Sequence, residues 1–97
     1  MVKEFKDLVF TKAGHGGLGS STQIGDHTLS VQCGKFVYSS PREDAPSENL
    51  FSAYEVAVFD SDGDFVTHKF IEDSEEGGVA GWVTKSTINQ VINQLTK

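Results

Sequence analysis

The clearest pattern along the chain is the alternation in Thr28-Leu29-Ser30-Val31-Gln32-Cys33, whose period of two predicts a half-buried strand. Upstream, Leu8-Val9-Phe10-Thr11 is short, apolar and rich in strand formers, which predicts a first strand near residues 7–12. Between them, Ala13-Gly14-His15-Gly16-Gly17-Leu18-Gly19-Ser20-Ser21 carries four glycines and reads as a loop over 13–21. Gly34 ends the alternating strand, and Lys35-Phe36-Val37-Tyr38-Ser39 continues as an edge strand or extended arm, an edge open to pairing with another copy. Residues 40–50 are polar, contain both prolines and are expected to form an exposed, mobile loop.

Tyr54-Glu55-Val56-Ala57-Val58-Phe59 and Phe65-Val66-Thr67-His68-Lys69-Phe70 flank Asp60-Ser61-Asp62-Gly63-Asp64, which predicts a hairpin. A two-residue Asp62-Gly63 loop would set Glu55 opposite Phe70 and Val56 opposite Lys69, both poor pairs. A three-residue Ser61-Asp62-Gly63 loop, with Gly63 left-handed, sets Tyr54 opposite Phe70, Glu55 opposite Lys69 and Val58 opposite Val66. The second register is chemically sensible throughout. It puts Tyr54, Val56, Val58, Val66 and Phe70 on one core face, with His68 among them. Residues 72–78 are acidic and end in glycine, hence a loop. Val79 to Val83 lead into a helix for which Thr84 is the N-cap and Val83 and Ile88 are spaced as a hydrophobic staple. Ile88, Val91, Ile92 and Leu95 then form one apolar stripe. Trp82, just before the helix, is expected to be a core or lid residue.

These elements predict an α+β fold: an antiparallel sheet of three to four strands with one C-terminal amphipathic helix packed on one face. At 97 residues the chain is expected to be a single domain. With 37% hydrophobic residues and 10% aromatics it is too apolar for a disordered chain. No apolar run reaches the roughly 18–20 residues of a membrane span. The start, Met1-Val2-Lys3-Glu4-Phe5-Lys6, lacks the apolar stretch of a signal peptide. One cysteine excludes an intramolecular disulfide and fits a reducing cytoplasm.

Charge changes the picture more. Residues 43–76 hold eleven acids against Lys69 alone, a net charge of −10 within a chain whose total is −6. Such a field repels nucleic-acid phosphates and suits a partner with a basic surface. It serves equally as a solvated face that keeps a small domain soluble. The candidate partner-binding residues are the acids Glu43, Asp44, Glu48, Glu72, Asp73, Glu75 and Glu76 with Phe36, Tyr38 and Phe51 as apolar anchors. The same aromatics would equally fold back to cover the sheet.

The motifs that suggest other chemistry are weaker. Gly14 to Thr22 is similar to the deviant Walker A cradle, yet His15 and Ser20 stand where that cradle carries its lysines. Asp60-Ser61-Asp62-Gly63-Asp64 is similar to the opening of an EF-hand calcium loop. Counting from Asp60, however, the sixth position is Phe65 and the twelfth Ile71, so a tight turn explains the residues without a metal. Cys33 with His15, His27 or His68 would need a meeting in space and an orienting group to act as a nucleophile. No catalytic residue, cofactor or metal is therefore expected.

Gly25-Asp26-His27-Thr28-Leu29-Ser30-Val31 followed by Gly34 and Tyr38-Ser39, Tyr54 to Asp60 with Asp62-Gly63, and Val79-Ala80-Gly81-Trp82-Val83-Thr84 opening the helix together resemble a family of small bacteriophage and prophage accessory proteins. The resemblance covers roughly residues 24–96; residues 1–23 and 72–78 depart from it. It implies an accessory gene product in the bacterial cytoplasm and brings no catalytic residues with it. The expected function is non-enzymatic: binding and modulating a host protein, a defence or nucleic-acid-processing factor, without direct contact to nucleic acid or membrane. The alternatives are a protein that sequesters a nucleotide-like small molecule under the Gly14–Gly19 loop, as a homo-oligomer, and a minor virion or assembly component.

Overall fold

Among the described residues, five strands form one antiparallel sheet in chain order: β1 (Thr11–Lys12), β2 (Leu18–Ile24), β3 (His27–Cys33), β4 (Tyr54–Phe59) and β5 (Ala80–Val83). One helix, α1 (Lys85–Leu95), follows. The computed structural model describes residues 2–14, 16–71 and 78–97. The α+β arrangement is the one the pattern predicts, with five strands in place of three or four.

The additional strands are β2 and β5. In β2 the inward positions alternate Leu18, Ser20, Thr22 and Ile24, and opposite them stand Cys33, Val31, Leu29 and His27. Ser20 is buried with its hydroxyl 3.3 Å from that of Thr22, so the two small side chains satisfy each other under the bulk of Val31 and Leu29. The neighbouring strand supplies the hydrophobicity that β2 lacks. The glycine-rich loop is correspondingly shorter than 13–21: Gly16 N–H donates to the Ala13 carbonyl, Ala13 N–H donates to Gly17, and pairing resumes at Leu18. β2 turns into β3 through Gly25-Asp26, where Gly25 has φ +61° in a two-residue connection.

The hairpin after β4 keeps its predicted turn and loses its predicted second strand. Gly63 is left-handed at φ +85°, Asp60 N–H donates to the Asp64 carbonyl, and Phe59 pairs with Phe65. Val66 N–H reaches the Val58 carbonyl at 2.7 Å, which is the three-residue register. The ladder then stops, because Val58 N–H takes the Thr67 hydroxyl (2.9 Å) as acceptor and Thr67–Lys69 winds into a 3₁₀ turn. Tyr54 therefore pairs with Val83 of β5, and the expected Tyr54–Phe70 and Glu55–Lys69 pairs do not form. Residues 35–39 form no edge strand either, so the expected open edge at that place is absent.

The core lies between the sheet and α1. Leu29, Val31, Cys33, Tyr54, Val56 and Val58 face Ile88, Val91, Ile92 and Leu95, all buried. Thr84 caps the helix as expected, accepting from Thr87 N–H, and Val83 and Ile88 are both buried as its staple. The N-terminal segment is tied to the helix by Phe5 N–H donating to Asn89 Oδ1 at 2.7 Å. No helix among the described residues is long and apolar enough to cross a membrane.

Thr67→Val keeps the shape of a fully buried side chain but leaves Val58 N–H without its acceptor. We expect a loss of about 1–3 kcal/mol in stability with an unchanged denaturant m-value, measured by urea unfolding.

Candidate functional site

The surface that departs most from an ordinary solvated face is built by residues 34–44 and the bulge in β5. The Ser39 hydroxyl is the staple of that loop. It is buried, accepts Gly34 N–H at 3.0 Å and reaches the Gly34 and Pro41 carbonyls at 3.0 and 3.1 Å. Val37 plugs inward, while Phe36 and Tyr38 on either side of it point out, 67% and 45% exposed. Tyr38 is fixed at both backbone groups: its N–H donates to Glu55 Oε2 at 2.9 Å and its carbonyl accepts Trp82 N–H at 2.9 Å. Asp44 Oδ1 holds the loop's entry by accepting Lys35 N–H.

On the β5 side, Tyr54 pairs with Val83 and Val56 with Ala80, so β5 spends one residue more than β4 over the same stretch. That bulge carries Gly81 and Trp82. Trp82 has φ +53°, a backbone conformation that costs a bulky L-residue energy. The conformation aims its indole at solvent, 57% exposed, and against the Tyr38 ring, with centroids 5.1 Å apart. Gly81 is required next to it, since a Cβ there would lie 2.9 Å from Tyr38 Cβ. Trp82 is thus neither a core residue nor a lid over the core. The Arg42 guanidinium lies 5.2 Å from the Tyr38 ring centre, and Lys35 Nζ lies 5.6 Å from that of Phe36.

Of the ten residues singled out as candidate partner contacts, Phe36, Tyr38, Glu43 and Asp44 share this loop and are exposed. Glu48 is half-buried in a 3₁₀ turn (Glu48–Leu50), where its backbone carbonyl accepts the Tyr54 hydroxyl. Phe51 is no exposed anchor: it is buried beside Tyr54, because the residues after the turn fold back under the sheet. Glu72, Asp73, Glu75 and Glu76 lie outside the described residues. Glu43, Asp44, Glu48 and Glu55 form no ion pair with another described residue, and Glu43 and Asp44 are exposed. Two contributors were not singled out from sequence: Glu55, which binds the Tyr38 backbone, and Trp82, whose exposure follows from a bulge that no periodicity announces.

The other candidate residues are placed as follows by the fold. Cys33 is fully buried, and burial pushes its thiol from 9.0 up to about 11, with the nearby Glu48 charge adding to the effect. A thiol held in its neutral form is a poor nucleophile. His68 is half-buried, and its buried Nδ1 finds no hydrogen-bond partner among the described residues. Gly19 lies inside β2, paired with both Thr11 and Gln32, and is unavailable as part of a phosphate cradle. Oxygens of Asp60, Asp62 and Asp64 approach within 4.8 Å of one another. Asp60 Oδ1 is engaged by the N–H groups of Asp62 and Asp64, which is the hydrogen bonding of the turn itself.

Gly81→Ala is expected to cost about 1–3 kcal/mol by overpacking against Tyr38. It should also red-shift Trp82 emission as the two rings separate, a change visible before unfolding. A second expectation concerns pH. Because the native thiol of Cys33 holds its proton to about 11 while an ordinary one loses it near 9.0, the unfolded chain binds fewer protons between those values. Stability should be full below 9.0 and fall as the pH rises towards 11. Cys33→Ala should flatten part of that fall in urea unfolding, the rest belonging to Tyr54, whose phenol burial also pushes upward.

The chain matches no family model, no curated protein and no solved structure, so its function has to be read from its own residues.

Proposed function

We propose that this protein is a non-catalytic binding module that docks onto a basic surface of another protein. The observation that carries the reading is a set of exposed aromatic rings beside acids that form no ion pair with a described residue: Phe36, Tyr38, Glu43 and Asp44 on the loop after β3, with Glu55 of β4 and Trp82 of β5 tied to Tyr38 by backbone hydrogen bonds. Aromatic anchors hold a complex through desolvated contact area, while a ring of one charge accelerates encounter and rejects like-charged partners. The strain at Trp82 supports the same reading. A bulky residue keeps a costly backbone conformation only where its neighbours enforce it, and such positions concentrate at functional surfaces.

The wider charge distribution agrees. Residues 43–76 carry −10, and the rest of the chain carries seven bases against three acids. That balance disfavours a nucleic-acid phosphate backbone as the ligand, whereas a protein that itself handles nucleic acid presents a complementary basic face. Within the resemblance to phage accessory proteins, the partner is a host factor in the bacterial cytoplasm, engaged in defence or nucleic-acid processing.

The test is affinity capture of the tagged protein from bacterial lysate at low and high salt. A basic protein retained at low salt and lost at high salt is expected. Glu43→Lys, at an exposed position, should lower retention and weaken its salt dependence while shifting stability by no more than about 0.5 kcal/mol. Reversal of Glu72, Asp73, Glu75 and Glu76 probes the remaining acids in the same way. Retention that ignores both sets of reversals would reject electrostatic docking.

A further inference from the structure

Resting on that docking reading, we propose that the Tyr38–Trp82 pair receives an arginine side chain of the basic partner, and that Arg42 occupies the site as a placeholder which this arginine displaces.

The geometry of the pair leads to a planar cation. The Tyr38 and Trp82 rings lean together, with centroids 5.1 Å apart at 33°, so a cation stacks on an outer ring face rather than between them, and both rings are substantially exposed. Backbone bonds hold the pair in place as well as the rings' own contact. Trp82 N–H binds the Tyr38 carbonyl, and Tyr38 N–H binds Glu55 Oε2. The Glu55 carboxylate therefore lies at the backbone of this ring pair, with Glu43 and Asp44 on the adjoining loop. An aromatic face beside a carboxylate is the environment in which a guanidinium both stacks and forms in-plane hydrogen bonds. An ammonium, a hydrated point charge, gains less from the ring plane.

The chain itself contains one such contact. Arg42 turns its guanidinium over Tyr38 at 5.2 Å, yet it forms no ion pair with any described carboxylate. It holds the ring with one of the two interactions the site offers. A partner arginine that reaches the ring and the Glu55 carboxylate together makes both, and so displaces it. Lys35 provides the internal comparison: it is a neighbouring cation on the same loop, but it covers Phe36 and leaves the Tyr38 ring free.

Trp82 is the single tryptophan of the chain, so its emission reports directly on this site. The experiment titrates the full-length protein with a fluorescently labelled oligo-arginine peptide and with an oligo-lysine peptide of equal length. Anisotropy follows total binding and Trp82 emission follows contact at the ring pair. Oligo-arginine should bind about three- to tenfold tighter and change Trp82 emission more at equal saturation. Arg42→Ala and Lys35→Ala each remove one nearby positive charge, but only the first uncovers Tyr38. Arg42→Ala should tighten oligo-arginine binding about threefold beyond the effect of Lys35→Ala. Both side chains are exposed, and circular dichroism confirms that the variants fold. Equal affinities for the two peptides with a silent Trp82 would overturn the arginine site while leaving charge-driven docking intact. Failure of both peptides to bind would reject the docking reading as well. Indistinguishable effects of Arg42→Ala and Lys35→Ala would overturn the placeholder.

Discussion

Burying the phenol of Tyr54 constrains more of this structure than any other single contact. A phenolic hydroxyl taken out of water must find an acceptor, and the sheet around Tyr54 offers none, since its carbonyls are committed to the ladder. The acceptors come from the chain between β3 and β4, where the carbonyls of Glu48 and Phe51 lie 2.6 and 3.1 Å from the hydroxyl. The same ring packs against Phe5 at 4.8 Å and against Phe51 at 6.2 Å. The N-terminal segment, the long connection and the sheet thus meet on one side chain. Its backbone pairs with Val83, which anchors the end of β5 and hence the bulge that turns Trp82 outward.

That arrangement separates two kinds of surface. The outer face of α1 is made of Ser86, Gln90, Asn93 and Gln94, uncharged residues that hydrate well and attract little. The connection from β3 to β4 and the bulged strand carry aromatics and acids instead. The core is thus closed by the helix, while the exposed aromatics and acids lie apart from it on the connection and the bulged strand. Strain is confined to the second part, where Trp82 adopts its left-handed conformation against a backbone bond from Tyr38. The bulge is held on both sides by the core residues Ala80 and Val83 and across the surface by Tyr38.

The candidate site was half legible. Phe36 and Tyr38 could be found because aromatics on a polar, Gly-bounded segment have no local strand in which to hide. Phe51 looked the same by that criterion, yet it is buried, because Tyr54 draws the carbonyl of its residue inward. Trp82 looked like a core residue because it adjoins an amphipathic helix. Its outward turn depends on one extra residue in β5, a matter of register against β4 that carries no signal in hydrophobic spacing.

What the sequence determined by itself is local: the alternation of β3, the cap and staple that start α1, its apolar stripe, and the Gly63 turn. In each, the residues that make the interaction are within about one helical turn or one hairpin of one another, so spacing suffices to specify it. The tertiary structure decided the rest. It made a strand of the hydroxyl-rich β2 by supplying Val31 and Leu29 opposite. It ended the second hairpin when Thr67 offered its hydroxyl to Val58, and it gave β4 a distant partner in β5. Those outcomes are set by which backbone and hydroxyl groups find partners across long stretches of chain, a competition that only the folded sheet resolves.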